Sequence, residues 1–302
     1  MKIIVTGGTG FVGGPLLSRL VAAGHEIILL TRNPDSARSR LDRQIRIEPW
    51  DGKVAGSWVQ HVDGADAVLN LAGENIGGKR WTAVQKERII GSRVDGTRAI
   101  VASIGKAMKK PVALVNASAV GFYGSVEDGD VAEDHPRGNS FLSETVDQWE
   151  RAAREAEKSG ARVVLLRSGV VLGKGGALDR MVLPFKLFAG GPLGSGRQWF
   201  PWVHIDDFVG VVLFALNNEK VSGPVNVVAP QAVTMREFSA ELGKTLHRPS
   251  WAPVPGFVLK IALGEMSEML LTGQRVVPRV LERQGYAFRF PKLAPALADI
   301  LR

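Results

Sequence analysis

The chain contains no cysteine. That absence excludes disulfides, zinc–thiolate centres and thiol nucleophiles, and it suits a reducing cytoplasm. Tyrosine is almost missing too: 302 residues hold only Tyr123 and Tyr286. Histidine is sparse, and His25, His61, His135, His204 and His247 are scattered without metal-ligand spacing, so no metal is expected. No apolar run approaches the roughly 20 residues of a membrane span. The chain opens directly on a strand-like "MKIIVTGG", with no signal-peptide pattern. The expectation is a cytoplasmic protein without a membrane partner.

Acidic residues are in deficit, 30 Asp and Glu against 38 Lys and Arg, for a formal charge of +8. Such a balance suits either nucleic-acid binding or a basic enzyme with an anionic ligand. The cations are spread along the chain, densest in "RNPDSARSRLDRQIR" (32–46) and "KAMKKP" (106–111). This favours the enzyme reading, and no nucleic-acid partner is expected.

What is present is alternation. Apolar strand-like runs occur at 2–8, 25–32, 44–50, 65–73, 111–121 and 161–173, separated by helical patterns, including a long one from Thr82 to Met108 and one over 141–159. Parallel strands need crossovers, and strands buried on both faces are apolar throughout. The pattern predicts an α/β fold: a Rossmann-type doubly wound parallel sheet with a small C-terminal α+β lobe. The boundaries are 1–230 for the nucleotide-binding domain and 231–302 for the lobe. Residues 174–203, rich in glycine, proline and aromatics, contribute to the substrate side. Asp206 or Asp207 is a plausible cap for "DDFVGVVLFALNN", and Thr234 with Glu237 forms a capping box.

"VTGGTGFVGG" follows the first strand and opens the first helix. Gly7, Gly10 and Gly13 allow a tight turn and close backbone approach to a pyrophosphate, and the helix N-terminus supplies free amide donors and a positive dipole end. Thr9, Phe11 and Val12 complete the loop. The second strand ends in Thr31 and Arg32, where a cofactor with a free ribose 2′-hydroxyl would favour an acid. A guanidinium suits a 2′-phosphate instead. The expected cofactor is therefore NADP(H), with Arg38 and Arg40 adding to the phosphate field.

At this point the sequence resembles the short-chain dehydrogenase/reductase superfamily, in its extended, nucleotide-sugar-epimerase-like branch. The pieces that carry the resemblance are "TGGTGFVG", "NLAG" (70–73), "RVDGT" (93–97), "ASAVGFYG" (117–124), "LLRSGVVLG" (165–173) and "HIDD" (204–207). "AGENI", "KRW", the long stretch 168–207 and "GQRVVPRVLERQGYAFRFP" (273–291) narrow it to an atypical subgroup of epimerase-family proteins. Members of this subgroup carry a small C-terminal domain of unknown function and are sometimes labelled cell-division inhibitors. The resemblance implies cofactor contacts from Leu71, Ala72 and Gly73, from Glu87 and Arg93 on the long helix, and from Ala117 and Val171. It also implies a homodimer paired through the two helices.

The superfamily's chemistry uses a serine, a tyrosine and a lysine. Ser118 matches the serine. Anchoring on "WE" places the tyrosine position at Leu142 and the lysine position at Val146. Four residues after the chain's two tyrosines stand Glu127 and Phe290, so no Y-x-x-x-K exists in the sequence. Arg93 stands where the superfamily has an asparagine; it is either a cofactor contact that takes over part of the lysine's role or a surface arginine paired with Glu87 or Asp95. Tyr123 is a catalytic candidate beside Ser118, but without a cation nearby its pKa stays near ~10, poor for base catalysis, and aromatic packing is its rival role. Glu74, Arg80 and Trp81, with Arg197, Gln198, Trp199 and Trp202, are either the wall of a pocket for a planar or anionic ligand or core packing between the lobes. Two functional readings stay open: an NADP(H)-dependent oxidoreductase or epimerase-like enzyme with altered proton transfer, or a cofactor-binding regulator with little turnover.

Overall fold

The computed structural model describes residues 1–302. In chain order the elements are β1 (Lys2–Thr6), α1 (Gly13–Ala22), β2 (Glu26–Thr31), α2 (Pro34–Arg38), β3 (Arg46–Pro49), β4 (Ala67–Asn70), α3 (Ala83–Lys106), β5 (Ala113–Ala119), β6 (Asp130–Val131), α4 (Phe141–Arg154) and β7 (Arg162–Ser168). They continue with β8 (Val170–Leu172), α5 (Ala177–Lys186), β9 (Trp202–His204), α6 (Ile205–Asn217), β10 (Gly223–Val227), α7 (Met235–Leu246), α8 (Gly256–Leu263), α9 (Glu268–Leu271), β11 (Arg275–Val276), α10 (Arg279–Arg283) and α11 (Leu293–Leu301).

Seven strands form one parallel sheet in the order β10-β7-β5-β4-β1-β2-β3. Helices cover both faces, which is why Ile27 through Thr31 of β2 are all buried with no polar alternation. One face rests on α1 and α6 through Leu16, Leu20, Val209 and Val212, and the other on α3 through Ile100 and Ile104. The chain moves outward from β1 to β3, then returns to the other side of β1 as β4. The strand order therefore reverses between β1 and β4. A crevice outside the carboxyl ends of the strands at such a point is where open α/β sheets bind ligands.

Three local expectations need correction. The run 161–173 is two strands, β7 in the main sheet and β8 paired with β9. Gly169 makes the break: a Cβ there would lie 2.6 Å from the Pro201 carbonyl oxygen, so only glycine lets the chains pass. The helix at 141 turns 3-10 at Glu155–Ser159. The cap of α6 is His204, whose Nδ1 accepts the Asp206 N–H, while the Asp207 carboxylate accepts the Arg289 and Phe290 N–H groups. The capping box at Thr234 and Glu237 is present.

The segment after β8 packs with the C-terminal residues. Leu178, Val182 and Phe185 of α5 share a core with Phe238 and Leu242 of α7 and with Leu293, Leu297 and Ile300 of α11. The C-terminal chain also returns to the first 230 residues, where the Tyr286 hydroxyl donates to the Asp207 carbonyl of α6 at 3.1 Å and β11 pairs with β6 in a separate two-stranded sheet.

Candidate functional site

The glycine loop stands at the topological switch. Gly7 has φ of 72°, and a Cβ there would lie 2.6 Å from the Leu71 carbonyl carbon, so the loop presses directly on the end of β4. A Cβ on Gly13 would lie 2.5 Å from Gly8 Cα. Gly10 N–H closes the turn onto the Gly7 carbonyl at 3.0 Å. The N–H groups of Phe11 and Val12 donate to nothing within the chain, and the first turn of α1 has no acidic residue. These are the donors and the dipole end that a pyrophosphate needs. Thr9 is exposed at the tip, and the Phe11 ring lies against Gly173 and Gly176 beyond β8, joining the loop to the substrate side.

Register places Thr6 beside Leu30, so Arg32 stands just beyond the glycine turn. It is exposed, and no side chain or carbonyl of the protein takes its donors. Thr31 is buried and its hydroxyl accepts the Asn33 N–H. Arg38 is paired with Asp35 at 2.8 Å and Arg40 donates to the Ser36 carbonyl, so of these three arginines Arg32 is the free one.

Leu71, Ala72 and Gly73 are half-buried or exposed at the end of β4. A buried chain of polar groups fixes that end: Thr6 donates to Asn70 at 2.6 Å, Asn70 donates to Thr97 and Asn116, and the Trp149 indole donates to Thr97 at 2.9 Å. Arg93 reaches the same place. Its guanidinium lies 5.1 Å from the Trp149 ring, packs under Gly73 and donates to the Ile89 carbonyl. Burial lowers its pKa to about 10, with the Glu74 charge pulling back upward, so it stays a cation at neutral pH. The carboxylate near it is Glu74, not Glu87, which is exposed on α3 and makes no bond. Ala117 is half-buried in β5, and Val171 packs beside the main core.

The two hydroxyls selected as catalytic stand where the sequence implied, Ser118 near the end of β5 and Tyr123 in the 3-10 turn that follows it, and both are buried. Ser118 is 4% exposed and donates to Glu150 Oε1 at 2.6 Å. Glu150 is held by Arg167 through two bonds of 2.8 Å. Arg167 also donates to the Tyr123 hydroxyl at 3.0 Å, and Tyr123 donates to Asn226 at 2.6 Å. Tyr123 is 1% exposed, and burial pushes its pKa up to about 12 despite the neighbouring Arg167. Both hydroxyls are therefore engaged by protein partners inside one network, and the cation that the sequence reading did not find beside Tyr123 is Arg167.

Sequence reasoning missed Arg167, the centre of that network. The signal was available: an arginine inside the apolar run "VVLLRS" must find an acid, because an unpaired buried charge is very costly.

The face of α4 above the network is apolar. Val146 is buried, and Leu142 joins Phe141, Trp81, Ile89 and Met266 in a cluster between the sheet domain and the C-terminal helices. This cluster borders a cleft of about 930 Å³ lined by Trp81, Lys86, Phe141, Ser195, Phe257 and Lys260, among others. Lys86 pairs with Glu265 across it. Of the residues expected to wall a pocket, Trp81 does so. Trp202 does not: it is buried with its indole on the Gln231 carbonyl. Trp199 stacks under Arg275, 5.3 Å from its guanidinium, and Gln198 is tied to the Leu193 and Leu270 carbonyls.

Comparison with known proteins fits this geometry. The model of the NAD dependent epimerase/dehydratase family matches residues 3–228, and a domain of unknown function, DUF1731, matches residues 254–300. The chain is 40% identical to the epimerase family protein YfhF of Bacillus subtilis over 100% of its own length and 98% of the relative's. It is 42% identical to the chloroplastic epimerase family protein SDR39U1 homolog of Arabidopsis thaliana, over 100% of this chain and 87% of that one. The crystal structure of human epimerase family protein SDR39U1 with NADPH superposes with a TM-score of 0.89 at 39% identity, covering 99% of each chain.

Proposed function

The chain belongs to the NAD dependent epimerase/dehydratase family, and on that premise we propose that it is an NADP(H)-binding, oxidoreductase-type protein with an atypical active site. One observation carries the cofactor choice: Arg32, beside the glycine turn, is a guanidinium without a partner in the chain. It suits a ribose 2′-phosphate, which is doubly charged and takes a bidentate fork. The human relative, 39% identical, was solved with NADPH.

A bound nicotinamide cofactor supplies or accepts a hydride. The chain's own residues bind and orient it. The glycine loop and the free Phe11 and Val12 N–H groups receive the pyrophosphate, and Arg32 receives the 2′-phosphate. Arg93 presents a lasting positive charge at Gly73, above α4. What the chain does not present there is a proton carrier, since the places of the tyrosine and lysine hold Leu142, in an apolar cluster, and the buried Val146. This observation favours a second reading, a cofactor-binding regulator with little turnover of carbonyl substrates.

Titration of the purified protein with NADPH and NADH, followed by a turnover screen over carbonyl substrates, separates the readings. Preference for NADPH is expected. Equal affinity for the two would overturn the 2′-phosphate assignment. Tight binding with no oxidation above background selects the regulator, and substrate-dependent oxidation selects the enzyme.

A further inference from the structure

Most of the large exposed apolar side chains fall in two segments. Leu183, Leu187 and Phe188 lie at the end of α5, and Trp251, Phe257 and Ile261 lie on and just before α8. The two segments are stitched together. The Trp251 indole donates to the Phe188 carbonyl at 3.0 Å, the Trp251 and Ala252 N–H groups donate to the Gly190 carbonyl, and Leu193 bridges Val254. Phe188 holds φ of 60°, an uncommon state for a bulky residue, and Arg248 lies 4.5 Å from its ring. Helix α8, "GFVLKIAL", has no buried residue at all. An apolar face of this extent on a folded chain marks a contact surface.

Charge says what covers it. Residues 180–205 and 242–264 contain no Asp or Glu but carry Lys186, Lys244, Arg248 and Lys260, while Glu265 and Glu268 stand on the cleft side, Glu265 against Lys86. Aromatic and aliphatic side chains ringed by cations, on a short helix lying flat on the surface, are the signature of an interfacial membrane contact. A protein partner of ordinary composition would leave this one-signed rim without matched acids, whereas anionic headgroups match it continuously. We propose that this face, formed by the end of α5 and by α8, docks on an anionic lipid surface. The docking does not depend on the cofactor reading. Phe257 and Lys260 also line the large cleft, so its mouth then opens at the lipid headgroups. The sequence reading excluded a membrane partner because it sought a spanning segment. No helix is long and apolar enough to cross a membrane, but a helix that lies on the surface needs no such length.

The test is co-sedimentation of the full chain with vesicles of phosphatidylcholine alone and of phosphatidylcholine with about one third phosphatidylglycerol. Binding to the anionic vesicles at low salt is expected, with a blue shift in tryptophan emission that Trp251→Phe reduces. Leu187→Ser with Ile261→Ser, and separately Lys186→Glu with Lys244→Glu, should each weaken binding by about tenfold or more. These residues are exposed and outside the cofactor loop, so NADPH affinity stays the same in both variants. A wild-type protein that remains in the supernatant with anionic vesicles overturns the proposal. So does a wild-type dimer that Leu187→Ser with Ile261→Ser disperses, because the face is then covered by a second copy.

Discussion

The hydroxyl of Ser118 donates to Glu150 at 2.6 Å, and both residues are buried. Glu150 lies one helical turn beyond Val146 and is itself held by Arg167. Ser118→Ala should lower stability by about 1 kcal/mol, the worth of one net hydrogen bond, and leave NADPH affinity unchanged. Glu150→Ala strands Arg167 in the interior and should cost about 3–5 kcal/mol. Denaturant unfolding of both variants, with NADPH titration, checks the pair. A loss of NADPH binding in Ser118→Ala without loss of stability would return the serine to the active site.

Arg32→Ala should weaken NADPH about tenfold to hundredfold, since a hydrogen bond to a charged group is worth about 1.5–3 kcal/mol. NADH affinity should barely move. A fall of equal size for both cofactors would place Arg32 at the pyrophosphate rather than at the 2′-phosphate.

Gly13→Ala forces a methyl group against Gly8 Cα and the Gly7 carbonyl. Neither is a flexible side chain that can step aside. The turn must open, at about 1–3 kcal/mol, and the pyrophosphate cradle opens with it. Gly14→Ala is the control, because a Cβ at that position meets nothing within 4 Å. Calorimetric titration with NADPH should show binding lost in the first variant and kept in the second.

The sheet was legible because it obeys one rule. Strands buried on both faces read as apolar runs, and β1, β2 and β4 do through their centres, β5 and β7 as far as Asn116 and Arg167. The glycine loop was legible because its spacing answers to a turn and a helix start. The break at Gly169 was hidden, because the reason for it is the Pro201 carbonyl, 32 positions further along the chain. The partners of Ser118 and Tyr123 were hidden for a related reason. Sequence spacing locates a residue along a strand, but only the fold shows that Glu150 and Arg167 reach those hydroxyls first. The apolar face of α8 was concealed by composition, since an exposed Phe257 and a buried Phe185 look alike in a string.

His204 couples stability to acid. Burial against Phe290 lowers its pKa from the ordinary 6.5, only partly offset by Asp206, Asp299 and Asp207. The folded state therefore prefers the neutral ring, and the unfolded chain takes up a proton more readily. This contribution is fully present above pH 6.5 and is lost as the pH falls through the lower folded value. Thermal unfolding between about pH 7 and 5 should show a decline that is smaller in His204→Asn, a variant that keeps a capping side chain for α6. An equal decline in both proteins would assign the acid sensitivity elsewhere.

Arg93 and a lysine at 146 are alternatives rather than partners. The Arg93 guanidinium lies over Trp149, and Val146 is three residues earlier on the same face of α4. A lysine introduced at 146 would enter a buried position with that cation nearby, while the acid one turn on, Glu150, is already held by Arg167 and Ser118, so both desolvation and repulsion oppose its charge. Val146→Lys alone should then destabilise the fold by several kcal/mol, of the order of an uncompensated buried charge. Arg93→Asn alone removes the cation and should weaken NADPH. Combined, the two changes should cost less stability than their sum, because the second removes the repulsion created by the first. A double-mutant cycle on unfolding free energy measures that difference. Strict additivity would mean that the two positions do not sense one another, and that Arg93 does not stand in for the missing lysine.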